Sequence, residues 1–369
     1  MQGAAELRPQ RPIPGTEGTA APGRFLIALL ALIAVVAALW LGFLFLRDND
    51  APQLVSALVA ILWGVGGIAA LFTTANMLVE SLSNKWRSRV QPYIFVGPAV
   101  AILAWFLLIP TIRTLFQSFF LGSSNNFAGL ENYIKAFTSR DMLQAFQNNL
   151  LWLVAGTAGC VVLGLLIAVL ADRSRFETLA KALIFMPMAI SFVGAGVIWK
   201  FMYARQPEGE PQIGVLNAIV TGLGGQPQAW IQSPPWNNFF LILVLIWMQT
   251  GFALVIFSAA LKGVPEEMLE AARLDGASEI QAFFRIIIPF IQGTIITVTT
   301  TIAIFTLKIF DVVIVMTGGQ FNTDVVATQF YKNYFNNPGY GSAIAIVLFV
   351  AVLPVMIYNL REFRKQEGF

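Results

Sequence analysis

No histidine occurs in the 369 residues, and the one cysteine, Cys160, sits inside an apolar run. Ser-His and Cys-His nucleophilic pairs, histidine-ligated metals, histidine pH switching and an intrachain disulfide are therefore all excluded. Three other groups of residues have types and spacing that invite a chemical reading. Trp247, Gln249 and Thr250 stand in the middle of one apolar stretch, while Thr297, Thr300, Thr301, Phe305 and Thr306 fill another. Hydroxyls, an amide and aromatic faces are what a carbohydrate needs for recognition, and polar groups at membrane depth tend to face a bundle interior or a cavity. Threonines, however, also bond back to their own helix and then do nothing further. Lys308 and Asp311, three residues apart, have the spacing of a local ion pair on a helix. The third group is a polar stretch between two apolar runs, KGVPEEMLEAARLDGASEIQAFFRIIIP (262–289), whose order suggests a built element rather than a slack connector.

The elements that must position these residues are dictated by composition. The chain is 57% hydrophobic and 12% charged, against roughly 25% charged in soluble domains. That excludes a disordered chain, a nucleic-acid-binding domain and almost any ordinary soluble enzyme. Eight runs approach or reach the roughly 20 apolar residues of a membrane-spanning helix: 25–46, 54–79, 94–112, 150–171, 183–203 (interrupted by Pro187), 239–261, 286–310 (entered through Pro289) and 343–360. The first is longer than the roughly 7–15-residue core of a signal peptide and lacks a small-x-small cleavage site, so it reads as retained. Residues 1–23, rich in Pro, Gly and Ala, read as a disordered cytoplasmic tail.

Orientation follows from the 23 Lys and Arg residues. With the N-terminus inside, 15 fall in the five inner segments and 8 in the four longer outer ones, the bias expected of cytoplasmic loops. Both termini and the stretch 262–285 are thus expected in the cytoplasm, and the protein in the cell (inner or plasma) membrane.

Within that stretch, Pro265 suits the first helical position and Glu266 and Glu267 the positive end of the helix dipole. Met268, Ala271 and Ala272 fall at i, i+3 and i+4 and form one small apolar face. Asp275-Gly276 ends the helix, and Ser278 with Gln281 forms a capping-box pattern that starts a second one. The expectation is two short helices at about a right angle under the membrane, with an acidic side formed by Glu266, Glu267 and Glu270. Such an elbow could insert in a basic-rimmed groove of another protein.

Glu270-Ala271-Ala272, three residues, Gly276, nine residues, then Ile286-x-Ile288-Pro289 resembles the EAA motif of ABC-importer permeases, with Ile288 for the usual leucine. Residues 175–203 and 310–319 are also similar to the carbohydrate-uptake group, and the ending 355–367 to its maltose, α-glucoside and glucosylglycerol-like branch. The resemblance covers residues 92–369 and implies an all-α polytopic fold of about eight transmembrane helices with a six-helix permease core. Residues 24–91 would be two extra N-terminal helices. It further implies a second homologous permease subunit, two ABC ATPase subunits, an extracytoplasmic solute-binding protein, a sugar substrate and a lipid bilayer, with no nucleic acid. The coupling residues would be Glu270 as polar anchor, Ala271 and Ala272 as close-packed contact, and Gly276 as bend. No G-x-x-x-x-G-K-[ST] sequence occurs, so no cofactor is expected in this chain, and ATP with Mg would be bound by the partner ATPases. The alternative, a secondary transporter or channel acting alone, predicts charged residues at midspan, and apart from the end-lying Lys308 and Asp311 the runs have almost none.

Overall fold

The computed structural model describes residues 22–48, 51–122 and 126–366, and the tail expected over 1–23 lies outside them apart from its last two residues. The described chain is helical, with a single antiparallel bridge between Phe120 and Phe127 as its only β feature. It divides into two compact units, residues 1–111 and 112–369.

In unit 1, α1 (Pro22–Asp48) and α2 (Gln53–Glu80) are followed by α3 (Asn84–Gln117), which carries the chain into unit 2. The Trp63 indole N–H donates to the Leu39 carbonyl at 3.0 Å and pins α2 against α1. Unit 2 contains α4 (Glu131–Thr138), α5 (Arg140–Asp172), α6 (Glu177–Ala189), α7 (Phe192–Met202), α8 (Val215–Gly222) and α9 (Trp236–Lys262). Then follow α10 (Glu266–Leu274), α11 (Glu279–Phe290), α12 (Gln292–Leu307), α13 (Asp311–Met316), α14 (Val326–Tyr334) and α15 (Pro338–Gln366). Among the described residues six helices are long and apolar enough to cross a bilayer, and the total is eight if each of the bent pairs α6–α7 and α11–α12 is one span.

Helix α9 is the spine of unit 2. Of its most apolar stretch 56% is buried, against none of that of α1, α2 or α3. One end of it packs Leu241, Val244, Leu245 and Met248 against Trp152, Val312, Val313 and Met316. The other packs Ala253, Leu254 and Phe257 against Cys160, Ala168, Val298 and Ile302. Cys160 is therefore a small core residue, as the sequence implies. Close approach of α5 and α9 requires Gly164, where an added Cβ would lie 2.4 Å from the Ala253 Cβ.

The interrupted fifth run is two helices meeting at 102°. Pro187 starts a short tight turn, Met186–Ala189, and Ile190 is extended. Ser191 then caps α7, its Oγ accepting the Gly194 N–H at 3.0 Å. The seventh run also differs from its expected form. Pro289 lies inside the last turn of α11, and the 70° bend comes after it, at Ile291.

Candidate functional site

The elbow between α10 and α11 is built from local signals. Pro265 takes the cap position, one residue earlier than expected, with φ −60° and ψ 132°. At the other end the Ala277 N–H donates to the Ala272 carbonyl at 2.9 Å, and the Gly276 N–H to the Arg273 carbonyl at 3.1 Å. This double closure is a Schellman motif, with Gly276 in the left-handed region at φ +80°. Ser278 then opens α11 with a complete capping box, Gln281 Oε1 accepting the Ser278 N–H at 2.9 Å.

The structure separates the residues assigned to one apolar face. Ala272 is only 7% exposed and turns toward the protein beside half-buried Leu269, whereas Met268, Ala271 and Glu270 are exposed. The inward stripe is thus Leu269–Ala272, at i and i+3, and the outward face is Glu267, Met268, Glu270 and Ala271. Leu274, at the tip of the elbow, is 89% exposed, and its position at the end of the helix is the only sequence signal that could have found it.

Beneath the elbow lies a charge cluster that sequence reasoning missed. Lys181 reaches Asp172 at 2.6 Å and also contacts Glu177 and Ser258. Ser258 Oγ donates to Asp172 at 2.7 Å, and Lys262 reaches Glu177 at 2.5 Å. The Lys181 and Asp172 side chains are 18% and 17% exposed, so their attraction is screened far less than that of a surface pair. Glu279 extends the chain of charges, accepting from Arg273 at 3.1 Å and from Arg173 at 3.3 Å. The end of α5, the start of α6, the end of α9 and the elbow are thereby joined around a cavity of about 310 Å³, lined among others by Val169, Leu261, Leu269 and Phe283. The i, i+4 spacing of Glu177 and Lys181 was visible in the sequence, but the arrival of Asp172 and Ser258 was not.

The residues read as sugar-facing are dispersed. The Thr250, Thr301 and Thr306 hydroxyls donate to the carbonyls of Ile246, Thr297 and Ile302 at 2.6–2.8 Å, the back-bonding alternative. Thr306 is fully buried and lies beside Gly156, next to Leu245. Phe305 faces outward, 48% exposed, with half-buried Thr301 one turn away on the same side of α12. Trp247 packs edge-on to Trp199 with ring centroids 5.7 Å apart. Gln249 is buried, and its amide has no hydrogen-bond partner among the described residues. Two residues on, Gly251 approaches the α6 backbone so closely that a Cβ would lie 2.5 Å from the Ile184 carbonyl oxygen. Residues two apart on a helix do not share a face, so Gln249 turns away from that contact, and its amide is a hydrogen-bonding position at membrane depth.

Lys308 and Asp311 do not pair. Helix α12 ends at Leu307 and α13 begins at Asp311, so the helical i, i+3 spacing does not apply. The Lys308 ammonium instead lies over the Phe305 ring, 5.9 Å from its centroid. At this end of unit 2, Asn148 Nδ2 donates to the Asn322 and Asp324 carbonyls at 2.8 and 2.7 Å, and Asn237 Nδ2 to the Phe321 carbonyl at 2.7 Å. They hold a turn in which Phe321 and Asn322 have φ of 57° and 61°.

Residues 160–362, which include the elbow, the charge cluster and the α6–α7 break, match the family described as binding-protein-dependent transport system inner membrane component. The chain belongs to that family. Among curated relatives of this permease, it is 54% identical over 276 residues to the osmoprotective compounds uptake permease protein GgtC of Synechocystis sp., covering 74% of this chain and 99% of the relative. It is 44% identical over 332 residues to the alpha-glucoside transport system permease protein AglF of Rhizobium meliloti, covering 86% and 99%. Among solved structures, a chain of a bacterial ABC transporter involved in the import of the acidic polysaccharide alginate superposes with a TM-score of 0.63 at 20% identity, covering 75% of this permease and 99% of that chain. The all-helical, multi-pass permease fold expected from the sequence is therefore the fold observed, and the protein is an inner-membrane transport subunit.

Proposed function

We propose that this permease forms half of the translocation path of an ATP-driven importer for an α-glucoside or a related glycosylated osmoprotectant. The observation that carries the coupling part is the elbow itself: a capped, rigid turn with Glu267, Met268, Glu270 and Ala271 outward and Leu274 at its tip. Two ATPase subunits supply ATP and Mg binding, and the elbow seats in a groove of one of them. Glu270 meets a basic rim, and Met268, Ala271 and Leu274 enter the groove. Ala272 works from the inside, as packing and as the carbonyl that closes the turn.

Motion of the elbow then reaches the bundle through Arg273, Glu279 and Arg173 and the more buried Asp172–Lys181–Ser258 cluster, which grips the ends of α5, α6 and α9. The positive charge on this side supports a cytoplasmic location for the elbow and both termini. A second, homologous permease covers the open Thr301–Phe305 side of α12. An external binding protein docks on the opposite end, near the turn held by Asn148 and Asn237. Gln249 and the face of Trp247 are the groups offered to the sugar. Alternating access is a two-state equilibrium, biased by ATP at one end and by loaded binding protein at the other.

The test is reconstitution of the permease with its partner permease, ATPase and binding protein in proteoliposomes. The proposal expects α-glucoside uptake that requires ATP inside and binding protein outside. Uptake that proceeds without any ATPase, driven by a proton or sodium gradient, refutes it and returns the secondary-transporter alternative.

A further inference from the structure

Unit 1 lies outside the family-matched region, yet it contains a formed site of its own. On α1, Arg24, Ile27, Ala28 and Ala31 recur at i, i+3, i+4 and i+7 and make a single stripe. That stripe faces Met77 and Glu80 of α2, with Arg87 of α3 closing one end, around a cavity of about 380 Å³. Small residues make the trough. Ala28 is 4% exposed, and neither it nor Ala31 fills the space between α1 and α2. Hydrogen bonds fix the third wall, where the Gln91 amide donates to Asn76 Oδ1 at 3.2 Å and the Asn76 amide to Glu80 Oε1 at 3.0 Å.

The charges are ordered along the trough. Arg87 lies 3.5 Å from Glu80, which takes up part of its charge, whereas Arg24 has no ion-pair partner among the described residues. Lys85 and Arg89 add exposed positive charge on α3, and Trp86, 59% exposed, is the type of side chain found at a bilayer's polar boundary. One end of the cavity is thus cationic and the other apolar, on helices whose outer surfaces are apolar along their length. Glu80 would repel a second negative charge, so the end suits a phosphodiester better than a dianionic phosphate monoester.

We propose that this cavity binds an anionic phospholipid of the leaflet on the Arg24 side, with the phosphodiester between Arg24 and Arg87 and the acyl chain along Ile27, Ala31 and Met77. Loop charge assigns that leaflet to the cytoplasmic side. The site is independent of the coupling role of unit 2, and its test does not involve transport.

Full-length permease in neutral detergent is titrated with phosphatidylglycerol, phosphatidylcholine or sn-glycerol 3-phosphate, and bound lipid is counted by native mass spectrometry. A guanidinium near an anionic lipid contributes about fivefold in affinity, and Glu80 offsets part of the Arg87 charge, so wild type should prefer phosphatidylglycerol to phosphatidylcholine by at least about fivefold. R24Q/R87Q should lose that preference, and R205Q, on the loop before α8, should keep it. A31F, which fills the trough without changing charge, should lose the lipid as well. The exposed Arg24 makes the charge variant decisive should A31F fail to fold. Equal binding of the two lipids, or wild-type preference in R24Q/R87Q, overturns the proposal. Displacement of the lipid by an equimolar amount of sn-glycerol 3-phosphate also overturns it, in favour of a site for free phosphate esters.

Discussion

Gly276 gives the most decisive perturbation of the elbow, because its two possible roles make different predictions. Its φ of +80° is a conformation that residues with a Cβ rarely adopt, and an added Cβ would meet nothing within 4 Å. Size is therefore not the constraint, and conformation is. Holding alanine in the left-handed region costs about 1–2 kcal/mol, while asparagine, which visits that region readily, costs less. If the variant elbow relaxes when free and must regain its bend to seat in the ATPase, that cost comes out of the docking free energy, and Gly276→Ala should weaken co-assembly about 5- to 30-fold. Gly276→Asn should fall between Ala and wild type. The assay is quantitative co-isolation of tagged permease with its ATPase over a concentration series, paired with ATP-driven uptake. Equal defects in Ala and Asn, or wild-type assembly by both, would refute the conformational reasoning and make Gly276 a spacer only.

Other outcomes follow from the same geometry. Asp172→Asn removes the carboxylate that Lys181 and Ser258 share; with a lysine left partly unpaired, the cost is about 3 kcal/mol, and uptake should fall further than basal ATPase activity of the assembled complex. Gln249→Leu preserves size but removes the amide offered to the sugar, so uptake should drop about tenfold or more; an unchanged uptake rate would remove Gln249 from the solute path. Gly164→Leu puts bulk where even a Cβ would lie 2.4 Å from the Ala253 Cβ, and a stability loss of about 1–3 kcal/mol should appear as a lowered Tm. Lys308→Met and Asp311→Asn, singly, should leave uptake within about twofold, since neither breaks an ion pair.

Much of this permease is legible in one dimension because its determinants are local. Span length is set by bilayer thickness, the Ser278–Gln281 box lies within four residues, and Gly276 announces a left-handed turn by its type. The features that escaped depend on how helices rotate against one another. Whether Ala271 or Ala272 turns inward is decided by the packing of α10 on its neighbours, which a heptad-like count cannot fix. Asp172, Lys181 and Ser258 converge from three helices, and only Glu177–Lys181 had a spacing to show. The Lys308–Asp311 pair failed because the count assumed a helix that ends at Leu307. For the candidate solute path, residue type marks polar groups at membrane depth, but which of their atoms are engaged, as the Thr250, Thr301 and Thr306 hydroxyls are in donating to their own helices, is set by local geometry.

The central claim is that one face of the elbow is exposed to the cytoplasm and covered by an ATPase. The chain's only cysteine, Cys160, is buried, so single cysteines placed at Ala271 and Ala272 can be probed with a membrane-impermeant thiol reagent in oriented vesicles. Labelling of A271C from the cytoplasmic side only, abolished when the ATPase is bound, with A272C labelled far more slowly throughout, is the expected result. Labelling of A271C from the outside, or labelling from the inside that is unaffected by the ATPase, would contradict it.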